Sequence, residues 1–561
     1  AGKFEGTGTT ADVKVTTDKS IGLYSEGELT VKKANVTATD GAINFFAKDG
    51  KININNGGTT ETGQKSLLFY TSGTGKVILG GQLDATIKGG TTPSTRGTAF
   101  YYVSPTRYGA FNTGAIQDYF NNTFGNGTST LNHLKLNMEQ GSRLFVASNV
   151  GMNLSDTSAT SLMSGITNAP TITGSDYKTF MLYLSKLTIN QAVNLNDPNS
   201  SYAKLEIANS SIENANVMTG SQNRQVAIAQ ENGNDTSGKG YNATEVTLVN
   251  KASGEINLTG AETTGIYAKR GTIFNEGKIS VGKKSTGIYL VEDDRSPATA
   301  TAGARAINES TGVITIGEDS TGIFYKVAPD NADGKGNNTA ISGGITNEGK
   351  IESSANNVIA MSFDSPYSSK TVKNSQTGEI DLKGQNSTGI FGENNSTLTN
   401  SGKIELQKDK SAGIYGKDSN ITNTGTGTDK GIYVKDEKSA GIFGEISGNA
   451  DKTINNNGNI TTEKTESAGI YGKINSGVTN KLSIINGAAG NITVNGDKSV
   501  GLYGDTNGTS ALLSATNGSI TNSGKLTLTG DEAVGIVSKR ATVNLNGTGS
   551  SDIVVGKKGI G

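Results

Sequence analysis

Cysteine and tryptophan are absent from the sequence, histidine occurs once, and only 7 of 561 residues are proline. Without cysteine there are no disulfides, no thiolate chemistry and no cysteine-ligated zinc. A lone histidine, His133, cannot assemble a common zinc site, and no GxSxG elbow accompanies it for Ser-His-Asp chemistry. No apolar run reaches the roughly 18 residues of a membrane-crossing helix, and no basic-then-apolar leader opens the chain. Charge is balanced, 50 basic against 51 acidic residues, so nothing draws the whole chain to nucleic acid or an anionic membrane. Apolar residues are scarce at 33%, against about 45–50% for a compact globule. The low net charge still separates the chain from disordered ones. So thin a core suits a repeat architecture, in which each unit supplies only a few inward side chains.

Glycine is abundant instead, with 77 residues, and it is not spaced in collagen triplets. From residue 250 onward one phrase recurs: a small residue, Gly, Ile or Leu, then Tyr or Phe. It reads Ser285–Leu290, Ser387–Gly392, Ser411–Gly416, Ser439–Gly444, Ser467–Gly472 and Ser499–Gly504, with an early copy at Ser20–Ser25. The spacing predicts a unit of about 22–24 residues with insertions. The long gap between Gly322 and Gly389 hides one or two degenerate turns, such as Val358–Phe363. Between these phrases stands a second: Asn, a short Gly-bearing turn, then alternating apolar residues, as in Asn275–Val281, Asn400–Leu406 and Asn522–Leu528. Residues such as Ile279 and Val281, two apart, share one strand face. Three short strands per unit, rich in Gly and β-branched residues, read as one coil of a right-handed parallel β-helix. Gly and Asn are expected to take positive φ at coil corners. Asn at one corner of successive coils is expected to form an internal amide ladder. Ile and Val point inward, while Ser and Thr suit outward positions. In the GIY phrase, Ala412 and Ile414 are expected on the inner face, and Gly413 and Tyr415 on the outer one. Tyr267, Tyr289, Phe324, Phe391, Tyr415, Phe443, Tyr471 and Tyr503 then form a stacked outer stripe, read as a structural aromatic ladder with a ligand strip as the rival reading.

Three regions follow: coils over 1–103, coils with two large insertions over 104–185, and regular repeats over 186–561. The first insertion, about 104–130, is dense in aromatics and predicts a short helix at Ala115–Phe124. The second spans about 149–185, and strands return at Lys186–Asn190. Smaller insertions lie at Val291–Arg305 and Val327–Gly344. Insertions on solenoids become loops on one face, and loops carry recognition. The C-terminal GKKGIG restarts the phrase and stops inside it, so a stretch of a longer protein is expected.

Chemistry-bearing motifs are few. GTGTT and GTGKV do not fit a phosphate-binding loop, and no EF-hand or calcium nonapeptide repeat occurs. The acidic turn Glu292–Asp294 reads as a solvated corner, with weak cation binding as the alternative, and His133 as a surface strand residue. No catalytic residue, metal site or cofactor is assigned. The candidate ligand-binding residues are Tyr101, Tyr102, Arg107, Tyr108, Phe111, Asp118, Tyr119 and Phe120, because aromatics and Arg anchor protein interfaces and stack on sugars. The competing reading is that they pack the insertion onto the coils.

The GIY and NxGxI alternation from Thr263 to Val537 resembles the passenger domains of large fusobacterial type V autotransporter adhesins. The resemblance implies a monomeric cell-surface segment, anchored in the outer membrane by a C-terminal β-barrel beyond this sequence or released from it. It also implies attachment to a protein or glycan on other bacteria or host cells. No binding motif carries over. The alternatives are a carbohydrate-active β-helix enzyme, since carboxylates can meet across coils, and a structural stalk with binding elsewhere.

Overall fold

A computed structural model describes residues 3–125, 131–231, 246–292, 303–327, 343–365, 370–448, 450–476, 478, 480–505, 518–546 and 553–561. The insertions at Val291–Arg305 and Val327–Gly344 and the end of the first insertion fall mainly outside these residues, as do Asp293 and Asp294. Glu292 of that acidic turn is not solvated but buried, paired with the buried Lys370 at 2.7 Å. Contacts divide the chain into two units, Ala1–Glu213 and Asn214–Gly561.

In the C-terminal unit every coil contributes three short strands, and each strand pairs in parallel with its counterpart one coil on. This is a parallel β-helix. Register is kept from coil to coil, so like residues form columns. Ile266, Ile288, Ile323, Met361, Ile390, Ile414, Ile442, Ile470 and Leu502 follow one another and are fully buried. Ile256, Ile279, Ile314, Ile351, Ile380, Ile404, Ile432, Ile460 and Ile492 form a second such column from a second sheet. Branched side chains at the strand spacing of about 4.8 Å fill the narrow interior. One degenerate coil, Ile359–Asp364, lies between Thr321–Val327 and Thr388–Glu393.

The asparagine corner is a continuous ladder. Asn214, Asn250, Asn275, Asn308, Asn347, Asn374, Asn400, Asn423, Asn456, Asn486 and Asn522 are all fully buried. Each Nδ2 donates to the Oδ1 of the next at 2.7–2.9 Å. Such a chain satisfies amides that would each cost about 1–3 kcal/mol if buried unpaired. The turn glycines make room for it: a Cβ on Gly402 would lie 2.2 Å from the Gly378 carbonyl oxygen and 2.9 Å from Asn374 Nδ2.

Three local expectations are corrected. Gly413 is buried beside Ile414 and Ala412 is half-buried, so strict alternation slips at the glycine. A Cβ there would meet Ile432 Cγ2 at 2.4 Å. The phrase serines are not outward either: Ser411, Ser439, Ser467 and Ser499 are buried. Ser411 N–H donates to Ser439 Oγ at 3.1 Å, and Ser467 N–H to Ser499 Oγ at 3.1 Å. Positive φ at this corner falls on the residue before the serine, including Lys410, Lys438, Glu466 and Lys498 at 53–57°. The burden is carried by charged residues whose side chains are free to leave the chain's interior, not by Gly and Asn alone.

The N-terminal unit stacks the same kind of coils around aromatic residues. Phe45, Phe69, Phe100, Phe145 and Phe180 occupy one register column and are fully buried, with neighbouring ring centroids 5.0–6.1 Å apart. The long strand Glu28–Ala38 divides. Its first half pairs with Lys51–Ile54, which pairs with Lys76–Leu79, where that branch ends; its second half leads through Gly58–Thr62 and Leu83–Ile87. Helix α1 (Thr113–Phe124) packs against Lys76–Leu79 in place of a further strand. Within 149–185, the strands Val150–Asn153, Thr171–Thr173 and Lys178–Tyr183 continue the coils. The excursion itself is 154–170 and holds helix α2 (Ala159–Ser164).

Candidate functional site

The eight residues singled out in the first insertion do not converge on one surface. Phe111 and Phe120 are buried, each about 1% exposed, so they are not ligand contacts. Phe120 meets the Phe100 ring edge-on at 5.1 Å, and Phe124 meets Phe69 at 5.1 Å. Tyr102 packs on Phe111 at 4.6 Å and Tyr119 on Tyr102 at 5.8 Å. Burial raises the Tyr119 hydroxyl well above the usual phenol range. Tyr101 stands on the outer face of its strand beside Tyr70, and Arg107 lies over the Tyr108 ring at 5.1 Å. Asp118 is exposed on α1. The aromatic density therefore reflects a hydrophobic plug that closes the open strand branch. His133 serves the same closure: it ends a short turn rather than lying in a strand, and its Nδ1 bonds the Leu79 carbonyl at 2.8 Å.

The outer aromatic stripe is a stack of half-buried rings. Phe391, Tyr415, Phe443, Tyr471 and Tyr503 are spaced 4.7–5.2 Å apart. Tyr267, Tyr289 and Phe324 form a second run at 5.1–5.6 Å. Ser362 takes the register position between the two runs. Tyr415 donates to Glu445 Oε2 at 2.9 Å; burial and that carboxylate raise its hydroxyl well above the usual range. Ring faces in such a stack are spent on their neighbours, which is a packing role.

A groove of about 310 Å³, lined by both polar and apolar surface, lies elsewhere in the N-terminal unit, where three separated stretches of chain meet. Its lining comes from Ser158 and Ala159 at the start of α2, from the turn at 174–177 with the buried Thr179 beyond it, and from Asn199, Ser201 and Lys204 of the turn at 199–204. Gly174 opens the first turn at φ 111°, where a Cβ would lie 2.0 Å from the Met138 carbonyl oxygen. Asp176 follows at φ 59°. The second turn is shaped by Asp197, whose Oδ1 accepts from Asn199 N–H at 2.9 Å. Two bonds join the turns: Thr179 N–H to the Lys204 carbonyl at 2.9 Å, and Lys178 Nζ to the Ala203 carbonyl at 2.6 Å. Lys204 pairs with Asp176 Oδ1 at 3.2 Å. Burial, with Arg96 and Lys204 nearby, holds the Lys178 ammonium below its ordinary range, and burial raises the Tyr177 phenol. Behind the groove, Glu206 is clamped by Arg96 and by Arg143 Nε at 2.5 Å. Helix α1 is tied to the 154–170 excursion, since Gln117 Oε1 accepts from Thr167 N–H at 2.7 Å.

Of the polar side chains that line the groove only Thr179 is buried; the others are exposed or half-buried. The side chains of Ser175, Tyr177, Thr179, Asn199 and Ser201 line it and make no hydrogen bond with any described residue. Thr179 is only 4% exposed. Sequence reading missed these residues, because they come from three separated stretches with no shared period. Among the described residues no group of three or more His, Asp or Glu is placed to hold a metal ion, and no helix is long and apolar enough to cross a membrane.

No curated protein and no solved structure matches the chain. Residues 297–510, within the C-terminal unit, are similar to the BigA third pectate lyase-like domain.

Proposed function

We propose that the chain is part of a cell-surface adhesin of the autotransporter kind, attaching to a protein or glycan on other bacteria or host cells. It acts as a monomer, needs no cofactor and cleaves nothing. Anchoring is through an outer-membrane β-barrel outside this sequence, with the β-helical part exposed or released. The observation that supports this reading is the groove, which gathers polar side chains with no partner among the described residues from three separated stretches of the N-terminal unit. Ladders that close coil by coil suit a chain that folds progressively after export. The similarity over residues 297–510 supports a β-helix. Purified chain applied to a panel of bacterial and host cells should bind some of them saturably. Cleavage of a polysaccharide, lost on changing one carboxylate, would replace adhesion with enzymology.

A further inference from the structure

We infer that the groove binds a single pyranose ring, or two, at the exposed end of a glycan; this rests on the groove being the contact surface of the proposed adhesin. Its size sets the first limit. About 310 Å³ is at the small end of ligand pockets, enough for one or two sugar rings and too small for a folded protein epitope. Its chemistry sets the second. Hydroxyls from Ser175, Thr179 and Ser201, the Asn199 amide and the Tyr177 phenol supply both donors and acceptors, as a ring bearing hydroxyls requires. Tyr177 adds an aromatic surface for the apolar side of a pyranose. The local charge is cancelled, because Lys204 and Asp176 pair at 3.2 Å, so neither an anion nor a cation is selected. An apolar ligand would leave the Thr179 hydroxyl desolvated without a partner, which is costly at a site only 4% exposed. A neutral sugar gives that hydroxyl a partner.

The test is titration of the intact chain with the methyl glycosides of glucose, galactose and mannose and with N-acetylglucosamine and N-acetylgalactosamine, followed by saturation-transfer NMR. At least one should bind saturably with Kd on the order of 1–10 mM. Thr179→Val and Asn199→Ala should each weaken it about tenfold, with melting temperatures unchanged; Lys408→Ala, an exposed change outside the groove lining, should leave it intact. Absence of saturable binding by every sugar, or binding indifferent to both groove variants, overturns the inference. So does saturation of the groove by a short peptide mixture in place of sugar. Cell binding that survives both groove variants overturns the sugar site and leaves the adhesin reading standing. Sugar binding without any cell binding does the reverse.

Discussion

Asn522 and Leu545 are register partners in adjacent strands, and their meeting ends the asparagine ladder. Every earlier rung donates its amide to the next asparagine, whereas the buried Asn522 Nδ2 has no acceptor. Leu545 is 62% exposed in the position an asparagine would occupy. Leu545→Asn should add a rung and raise stability by about 0.5–1.5 kcal/mol in urea unfolding. The opposite change inside the ladder, Asn400→Leu, orphans the Asn374 donor and the Asn423 acceptor, and should cost about 2–5 kcal/mol. Equal stability for both variants would show that the ladder contributes nothing.

The turn glycines are predicted to be indispensable for the ladder, not for positive φ. Gly402→Ala places a methyl 2.2 Å and 2.3 Å from two carbonyl oxygens of the preceding coil. Backbone must move, and unfolding stability should fall by about 1–3 kcal/mol or more. Unchanged stability would mean that the coils are not stacked as tightly as described.

Phe120 tests the role of the first insertion. Phe120→Ala should cost about 3–5 kcal/mol in the N-terminal unit, because it removes a buried ring from a packed plug. Deleting 104–130 should unfold that unit rather than remove a binding surface. A deletion variant that keeps its near-ultraviolet signal and its melting temperature would refute the plug.

Asp418 gives the chain an acid limit. Burial alone would raise its carboxyl, but hydrogen bonds from Ser447 and Gly448, with Lys452 beside it, outweigh burial and hold it below the ordinary range. A depressed folded-state value stabilises fully above the unfolded value of about 4 and is lost as pH falls through the folded one. Melting temperature should therefore drop more steeply below about pH 4 in the natural chain than in Asp418→Asn. Parallel curves would contradict the assignment.

Much of the C-terminal unit was legible because a repeat reports itself through spacing. The asparagine corner, the inward isoleucines and the aromatic stripe each recur with the coil, so counting finds them. Ser411 and Gly413 were misread because periodicity reports recurrence and not side-chain direction; a one-residue slip at the glycine turns both inward. Lys438 and Lys498 at positive φ break the residue preference on which turn reading depends. In the first insertion, composition identified the aromatic cluster and α1, but not whether Phe111 and Phe120 face a partner or the unit's own phenylalanines. The groove left no trace in the sequence, since Ser158, Tyr177 and Asn199 meet only through folding.

The central claim is that this β-helix adheres through the groove, and the most direct measurement is binding of the intact chain to intact cells with and without Thr179→Val and Asn199→Ala combined. The account predicts saturable binding by the natural chain and a loss of about tenfold or more in the double variant, with melting temperature unchanged. No cell binding by the natural chain, or equal binding by both, would contradict it.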